Sequence, residues 1–314
     1  MSALEKFFET EETPPAVVIP DVKNKSVSYS QYTMYMKCPR QYKLSYIDKL
    51  NIGESSINLI FGTAMHECLQ KYIETLYTKG APEADSLPLW QILKDAMIRE
   101  IDDPKNALKG KLKQDDIDEF MMDGKDIIDW VTAYGNRMKY FPSKVYEIVG
   151  IELPLIVPLK NNLNYIGYLD IVLKNKSTGG IKIIDLKTST IMWNKYQKGD
   201  NTKLNQLLLY KKFYSDLYKV QLEKIEVEFI VLPRKLIAGF EFAQNRIQKV
   251  IPPNGRLSLK EAVDSFDEFL TEAFTPAGTF NMKNPFPKNP GKAKKNCKWC
   301  SFKGTNYCDS KEGI

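Results

Sequence analysis

Two carboxylates and a lysine near the middle of the chain could together hydrolyse a phosphodiester with the help of a divalent cation. Asp170 ends the stretch Gly167-Tyr-Leu-Asp, and Asp185 and Lys187 lie two residues apart in the stretch Ile-Ile-Asp-Leu-Lys. Carboxylate oxygens suit Mg²⁺ or Mn²⁺, and a lysine beside such a cation would stabilise charge that builds on a phosphate. Whether the three side chains meet depends on the segments that carry them.

Those segments have the pattern of a β-hairpin. Residues 163–174 and 181–188 are rich in Ile, Leu, Val and Tyr, and turn-forming residues separate them. If the loop takes four residues, Lys176 to Gly179, the register places Asp170 opposite Asp185, with Cβ atoms about 4.5–5.5 Å apart. Lys187 projects from the same face as Asp185, because side chains alternate along a strand. Two carboxylates this close repel unless they share a cation, so the pattern predicts a metal site.

The surrounding elements follow the order strand, strand, strand, helix, strand. The strand patterns outside the hairpin cover residues 145–159, which include Glu152, and residues 225–232, while the helical pattern covers residues 204–218. Upstream, helical patterns cover residues 28–46, 57–77 and 89–140, and a late one covers residues 258–273. An Asp-x-Lys triplet alone is usually solvated charge, so this context is what favours a metal site.

This series resembles the PD-(D/E)XK nuclease superfamily. Within it, the chain is most similar to the RecB-like branch, which includes iron–sulfur nucleases of CRISPR adaptation and of bacterial helicase–nuclease complexes. A Gly-x-x-Asp strand, an Asp/Glu-x-Lys strand and a Gln-x-x-x-Tyr helix follow one another in that family, as Asp170, Asp185, Lys187, Gln206 and Tyr210 do here. The resemblance implies an α/β fold with a restriction-endonuclease-like mixed central sheet flanked by helices, a helical insertion and a C-terminal Cys-rich metal module.

The resemblance also implies roles for individual residues. Asp170 and Asp185 would bind the catalytic metal, and the backbone carbonyl of Leu186 would add a further ligand. Lys187 would assist the attacking water. Gln206 and Tyr210, which share one helix face because they are four residues apart, would orient the site or the DNA backbone.

The chain has a single histidine, His66, which ends the stretch Gly62-Thr-Ala-Met-His. A lone histidine is more often a packed or solvated residue than a ligand. RecB-like nucleases, however, carry a Gly-x-x-x-His helix ahead of the catalytic strands, with the imidazole on the metal. The resemblance therefore implies that His66 is a third metal ligand.

The five cysteines point to a second metal site. No signal peptide or membrane span is recognisable, so we expect a cytoplasmic, reducing location in which clustered thiols favour metal over disulfide. Cys297-Lys-Trp-Cys300 and Cys308 supply three ligands. The resemblance implies that Cys38, which precedes Pro-Arg, completes a 4Fe-4S cluster, with Zn²⁺ in a Cys₄ site as the alternative. Cys68 is expected to be a core thiol.

The domain organisation follows from these patterns. We predict a flexible N-terminal tail over residues 1–27, a helical region carrying Cys38 and His66 over 28–140, a nuclease core over 141–275, and a basic iron–sulfur module over 276–314. The net charge of +6 and the lysines that precede the last cysteines fit a polyanion partner.

The sequence thus predicts an Mg²⁺- or Mn²⁺-dependent DNA exonuclease that acts from ends or on single strands, in recombination, repair or phage-type DNA processing. Its expected partners are DNA and helicase or recombination proteins. The chain lacks the glycine-rich phosphate loop of an ATP-driven motor, so we do not expect it to be such a motor itself. Two alternatives remain open. One is a non-catalytic DNA-binding subunit of a larger nuclease complex, and the other is a protein whose cysteine module is stabilised by zinc.

Overall fold

The computed structural model describes residues 24–50, 55–106, 108–237 and 245–309. Most of the predicted tail, residues 1–23, and the last residues, 310–314, lie outside these ranges. The strands are β1 (Lys25–Val27), β2 (Tyr146–Leu159), β3 (Leu163–Asn175), β4 (Ile181–Ser189), β5 (Ile225–Pro233) and β6 (Gln248–Val250).

The helices fall into three groups along the chain. The first group is α1 (Tyr29–Lys37), α2 (Pro39–Tyr42) and α3 (Ile57–Thr78). The second is α4 (Ala81–Asp85), α5 (Leu89–Asp102), α6 (Gln114–Thr132) and α7 (Tyr134–Tyr140). The third is α8 (Lys195–Lys198), α9 (Asn201–Tyr218), α10 (Arg256–Ala273) and α11 (Asn306–Asp309).

The strands form one mixed sheet in the order β1-β3-β4-β5-β6, with β2 paired to β3 off this path. The β3–β4 hairpin has the register predicted from its turn, since Lys174 pairs with Ile181 and Ile171 with Ile184. The β4–β5 pair is parallel, which requires a crossover, and α8 and α9 provide it.

Helices cover both faces of the sheet. On one face, α1, α9 and α10 pack on β-sheet residues such as Tyr165, Ile183 and Phe229. On the other face, α3, α5, α6 and α7 pack on residues such as Ile184 and Ile230. The fold is therefore an α/β fold with a mixed central sheet flanked by helices, as predicted, because the central strands are apolar on both faces.

Two predicted elements are wrong in detail. Residues 25–27, assigned to the tail, form β1, which pairs parallel to the start of β3. The helix predicted over residues 28–46 is interrupted at Cys38, which has an extended backbone (φ −160°). The reason is Pro39, since the residue before a proline is disfavoured in helical conformation.

We found no helix in the described ranges that is long and apolar enough to cross a membrane.

Candidate active site

The candidate site lies where one edge of β3 is left open. At its beginning, β3 pairs with β1 as far as Tyr165, and its later part pairs with β4 from Ile171 onwards. In the described chain no strand pairs with this edge between these two residues. Gly167 and Asp170, the two fixed residues of the Gly-x-x-Asp stretch, fall within this opening.

Asp170 closes the β3–β4 ladder with its side chain. The regular pairing ends at Ile171 and Ile184, and the next pair in the same register would be Asp170 and Asp185. Instead of a backbone pair, the backbone N–H of Leu186 donates to Asp170 Oδ2 at 2.7 Å. The strands separate at this point, which gives both carboxylates room to face a common ligand.

Asp185 and Lys187 project from the same face of β4, as the alternation of side chains predicts. Lys187 Nζ lies 2.7 Å from Asp185 Oδ2. Asp185 is only 2% exposed, and its Oδ2 has no partner of hydrogen-bonding geometry among the described residues. The contact with Lys187 is therefore close enough for an ion pair, but it lacks the geometry of a hydrogen bond. A buried carboxylate oxygen in this state is a natural cation ligand.

His66 reaches the site from α3 on the other side. Its Nδ1 lies 3.5 Å from Asp170 Oδ2. A glycine one turn earlier permits the approach, because a Cβ on Gly62 would lie 3.0 Å from Oγ1 of Thr188 on β4. The Gly-x-x-x-His spacing therefore serves the close packing of α3 on the end of β4.

Glu152 is a site residue that the sequence reasoning did not assign. One oxygen of Glu152, one oxygen of Asp170 and one nitrogen of His66 all lie within 4.8 Å of one another. Gln70 Nε2 donates to Glu152 Oε1 at 2.6 Å and fixes its position. These donors, a neutral nitrogen and carboxylate oxygens, form a set that fits Mg²⁺ or Mn²⁺.

The backbone at Glu152 explains why it faces the site. Ile151 pairs with Ile171 and Leu153 with Leu169, so Glu152 lies across the hairpin from Asp170. Its φ of 47° is unusual for a residue with a side chain, and such strain is often found at functional sites. At this kink the buried side chains of β3 change layers, since Leu169 packs on one face and Ile171 on the other.

A turn signal in the sequence could have identified Glu152. Asn161 and Asn162 both adopt positive φ in the tight turn between Leu159 and Leu163. Asn-Asn is a pair that tolerates this conformation. Counting back from such a turn gives the register of β2 on β3, and this register places Glu152 opposite Asp170.

Electrostatics at the site favour a bound cation. Burial and the neighbouring Asp185 carboxylate raise the pKa of Asp170 well above its ordinary value. Burial lowers the pKa of His66, against the opposing effect of Asp185, so the imidazole is neutral at neutral pH and can donate an electron pair. Burial also lowers the pKa of Lys187, but Asp185 and Asp170 outweigh it and the net pKa is raised, which keeps the ammonium charged.

Gln206 and Tyr210 meet at the same place from α9. Gln206 Nε2 donates to Tyr210 Oη at 2.9 Å. A Cβ on Gly167 would lie 3.2 Å from the Tyr210 ring and 3.0 Å from the Tyr165 ring. Because Gly167 has no side chain, the Tyr210 ring of α9 can pack closely against the open edge of β3. Burial, together with Asp185 and Asp170, raises the pKa of the Tyr210 hydroxyl, so it stays protonated and can donate a hydrogen bond.

An open groove of about 420 Å³ between α3 and the end of β4 leads to the candidate ligands His66 and Glu152. Its walls include His66, Glu152, Gln70 and Thr188. A strand of a polymer substrate could reach the carboxylates along this groove.

We expect Glu152→Gln to weaken Mn²⁺ binding about 10- to 100-fold, because it removes the charge of a donor in the ligand set. Calorimetric titration of the metal-free protein with Mn²⁺ measures this effect. Glu147→Gln is the matched control, since Glu147 lies on the same strand, exposed, 3.6 Å from Lys174 and away from the ligand set. Equal Mn²⁺ affinity of the Glu152→Gln variant and the unchanged protein would show that Glu152 is not a metal ligand.

The four predicted cluster cysteines also come together. Cys38, Cys297, Cys300 and Cys308 line one cavity of about 50 Å³. The N–H of Asn289 donates to Cys38 Sγ at 3.4 Å, a contact of the kind that stabilises metal thiolates. The helix break before Pro39 is what turns Cys38 towards the C-terminal segment.

Side-chain contacts hold the two ends of the chain together around these thiols. Asn296 Nδ2 donates to the carbonyl of Lys37 at 2.8 Å, and Arg40 Nη2 donates to the carbonyl of Tyr307 at 3.0 Å. Cys68 is not part of this group. It is fully buried, its thiol donates to the carbonyl of Leu89, and burial raises its pKa to about 12, so it is a core thiol as predicted.

Comparisons with known proteins show the family of the chain. A crystal structure of a proposed exonuclease from Eubacterium rectale is similar at 16% identity, with a TM-score of 0.44 and 78% of each chain covered. A crystal structure of SSO0001 is similar at 14% identity, with a TM-score of 0.28 and coverage of 87% of this chain and 93% of that one. None of the curated proteins compared with the chain matches it. The family model of the PD-(D/E)XK nuclease superfamily matches residues 26–308. The chain therefore belongs to the PD-(D/E)XK nuclease superfamily.

Proposed function

We propose that the protein is an Mg²⁺- or Mn²⁺-dependent DNA exonuclease of the RecB-like branch that acts on single strands or ends. The observation that carries the proposal is the meeting of His66, Asp170, Asp185 and Lys187 at the point where the pairing of β3 with β4 stops, in a member of a nuclease superfamily. The resemblance to RecB-like nucleases supports the choice of DNA and of exonuclease action.

The donor set supports a resident divalent cation. His66, Asp170 and Glu152 would hold it, with Asp185 and the backbone carbonyl of Leu186 on the adjacent strand as further ligands. A bound Mg²⁺ or Mn²⁺ supplies positive charge to the phosphate and lowers the pKa of the attacking water. The raised pKa of Asp170 indicates that the paired carboxylates favour additional positive charge, beyond the Lys187 ammonium that lies 2.7 Å from Asp185 Oδ2.

The other side chains complete the reaction. Hydrolysis joins a water oxygen to phosphorus, breaks the bond from phosphorus to the leaving oxygen and transfers a proton to that oxygen. Lys187 would stabilise the negative charge that develops on the phosphate, because its ammonium is partly buried and held beside Asp185. Tyr210, hydrogen-bonded to Gln206, would hold the phosphate backbone through its protonated hydroxyl.

We propose further that Cys38, Cys297, Cys300 and Cys308 hold a 4Fe-4S cluster, with Zn²⁺ as the alternative. Support comes from the common cavity of the four side chains and from the N–H donor that points at Cys38. The cluster would connect the first helices to the C-terminal segment. In this proposal the protein works in the cytoplasm in recombination, repair or phage-type DNA processing, with helicase or recombination proteins as partners.

Covalently closed and linear DNA of one sequence distinguish exonuclease from endonuclease action. With Mn²⁺, we expect the protein to degrade linear single-stranded DNA to small products and to leave a closed single-stranded circle intact. Cleavage of both forms at the same rate would show an endonuclease. Tight DNA binding without metal-dependent cleavage of any form would instead favour a non-catalytic DNA-binding subunit.

A further inference from the structure

Trp299 is the most exposed aromatic residue among those the structure describes. Its side chain is 82% exposed, although tryptophan is among the residues that proteins bury most completely on average. It lies between Cys297 and Cys300 in a segment that none of the proposed steps at the active site uses. An indole exposed in this way offers its flat apolar face to a partner.

The segment holds Trp299 in place on both sides. Three residues before it, Asn296 donates to the carbonyl of Lys37 at 2.8 Å and to the carbonyl of Asn289 at 3.2 Å. Three residues after it, Phe302 is 2% exposed and belongs to the protein interior. Trp299 is therefore presented by an anchored loop rather than by a free tail, and its exposure is a feature of the fold.

The charge around Trp299 indicates the class of its partner. Residues 273–308 contain seven lysines and no aspartate or glutamate. The lysines nearest in sequence, Lys294, Lys295, Lys298 and Lys303, are all exposed. Lys298 Nζ lies 5.2 Å from the centroid of the Trp299 ring. An exposed aromatic ring within a lysine-rich segment that contains no acid matches a polyanion that also has flat apolar faces.

We propose that Trp299 is a stacking platform for unpaired bases of single-stranded DNA, with the lysines of residues 292–303 holding the phosphates on either side. The inference rests on the proposed function, because it takes DNA as the polymer, and it adds a second contact outside the metal site. Duplex DNA offers no free base face along its length, so the platform would favour single strands. The lysines would attract both forms, because phosphates carry no sequence or pairing information.

Binding without added Mg²⁺ or Mn²⁺ tests the platform separately from cleavage. Fluorescence anisotropy of a labelled oligothymidylate and of a labelled closed hairpin duplex, each titrated with the purified holoprotein, gives the two affinities. We expect Trp299→Ala to weaken oligothymidylate binding about 5- to 100-fold and duplex binding less than about twofold. Trp299→Phe should retain most of the affinity, since phenylalanine also stacks.

Two further variants serve as controls. Trp90→Ala removes a tryptophan of α5 that is 37% exposed, and it should change neither affinity. A double Lys294→Ala and Lys295→Ala variant should weaken binding to both DNA forms and reduce the dependence on salt.

Several results would overturn the platform. They are an unchanged oligothymidylate affinity in Trp299→Ala, an equal loss for both DNA forms, or a Trp299-dependent affinity for anionic lipid vesicles in place of DNA. If the unchanged protein cleaves DNA and the Trp299→Ala variant binds oligothymidylate as tightly as the unchanged protein does, only the platform is refuted. A Trp299-dependent affinity without any cleavage would refute the proposed exonuclease and keep the platform.

Discussion

Replacing Asp170 with Asn should abolish metal-dependent DNA cleavage and at the same time stabilise the metal-free protein at neutral pH. The pKa of Asp170 is raised by burial and by Asp185, which means that the folded state disfavours its charged form. For such a group the free energy of unfolding falls as the pH rises from the unfolded pKa towards the folded one, and the full penalty is present above both. Asn carries no charge, and its Oδ1 can still accept from the N–H of Leu186.

We expect cleavage to fall by at least about 100-fold and the free energy of unfolding to rise by about 0.5–2 kcal/mol, the usual size of a single stabilising substitution. Thermal unfolding with and without Mn²⁺ measures the second effect. Saturating Mn²⁺ should raise the Tm of the unchanged protein and leave that of Asp170→Asn as it was. A metal-free variant that is less stable than the unchanged protein would contradict this electrostatic account.

Replacing Cys38 with Ser should release the metal that we propose for the cysteine module and lower the stability of the whole fold. A link from residue 38 to residues 297–308 closes a loop of roughly 260 residues, and on the chain-entropy model such a closure contributes up to about 5 kcal/mol. Elemental analysis for iron and zinc, together with thermal unfolding, measures both consequences.

Cys68→Ser is the matched control, because the Cys68 thiol is buried elsewhere and a serine hydroxyl can still donate to the carbonyl of Leu89. The control should keep the metal content of the unchanged protein. Full metal content in Cys38→Ser would exclude Cys38 as a ligand. If the unchanged protein contains zinc and no iron, the four cysteines hold zinc in a Cys₄ site and not a 4Fe-4S cluster.

Features that depend on local periodicity could be predicted from the sequence. The register of β3 on β4 follows from the turn at Lys176 to Gly179, and the contact of Asp185 with Lys187 follows from the alternation of side chains along a strand. The meeting of Gln206 with Tyr210 follows from the helical repeat in the same way.

Features that depend on long-range pairing could not be predicted. β1 pairs with β3 across more than a hundred residues, and three residues carry too little pattern to reveal it. The Asn161–Asn162 turn gives the register of Glu152 with Asp170, but not the positive φ of Glu152 within β2, which neither propensity nor alternation indicates. Its hydrogen bond to Gln70 joins β2 to α3, and only the folded chain brings these elements together.

Cleavage of linear single-stranded DNA by the unchanged protein and by Lys187→Ala, in the presence of Mn²⁺, tests the central claim most directly. Lys174→Ala is the matched control, because Lys174 lies on the same hairpin, exposed, beside Glu147. We expect metal-dependent cleavage by the unchanged protein and by the control, and a rate at least about 100-fold lower for Lys187→Ala. Equal rates for Lys187→Ala and the unchanged protein would contradict the central claim.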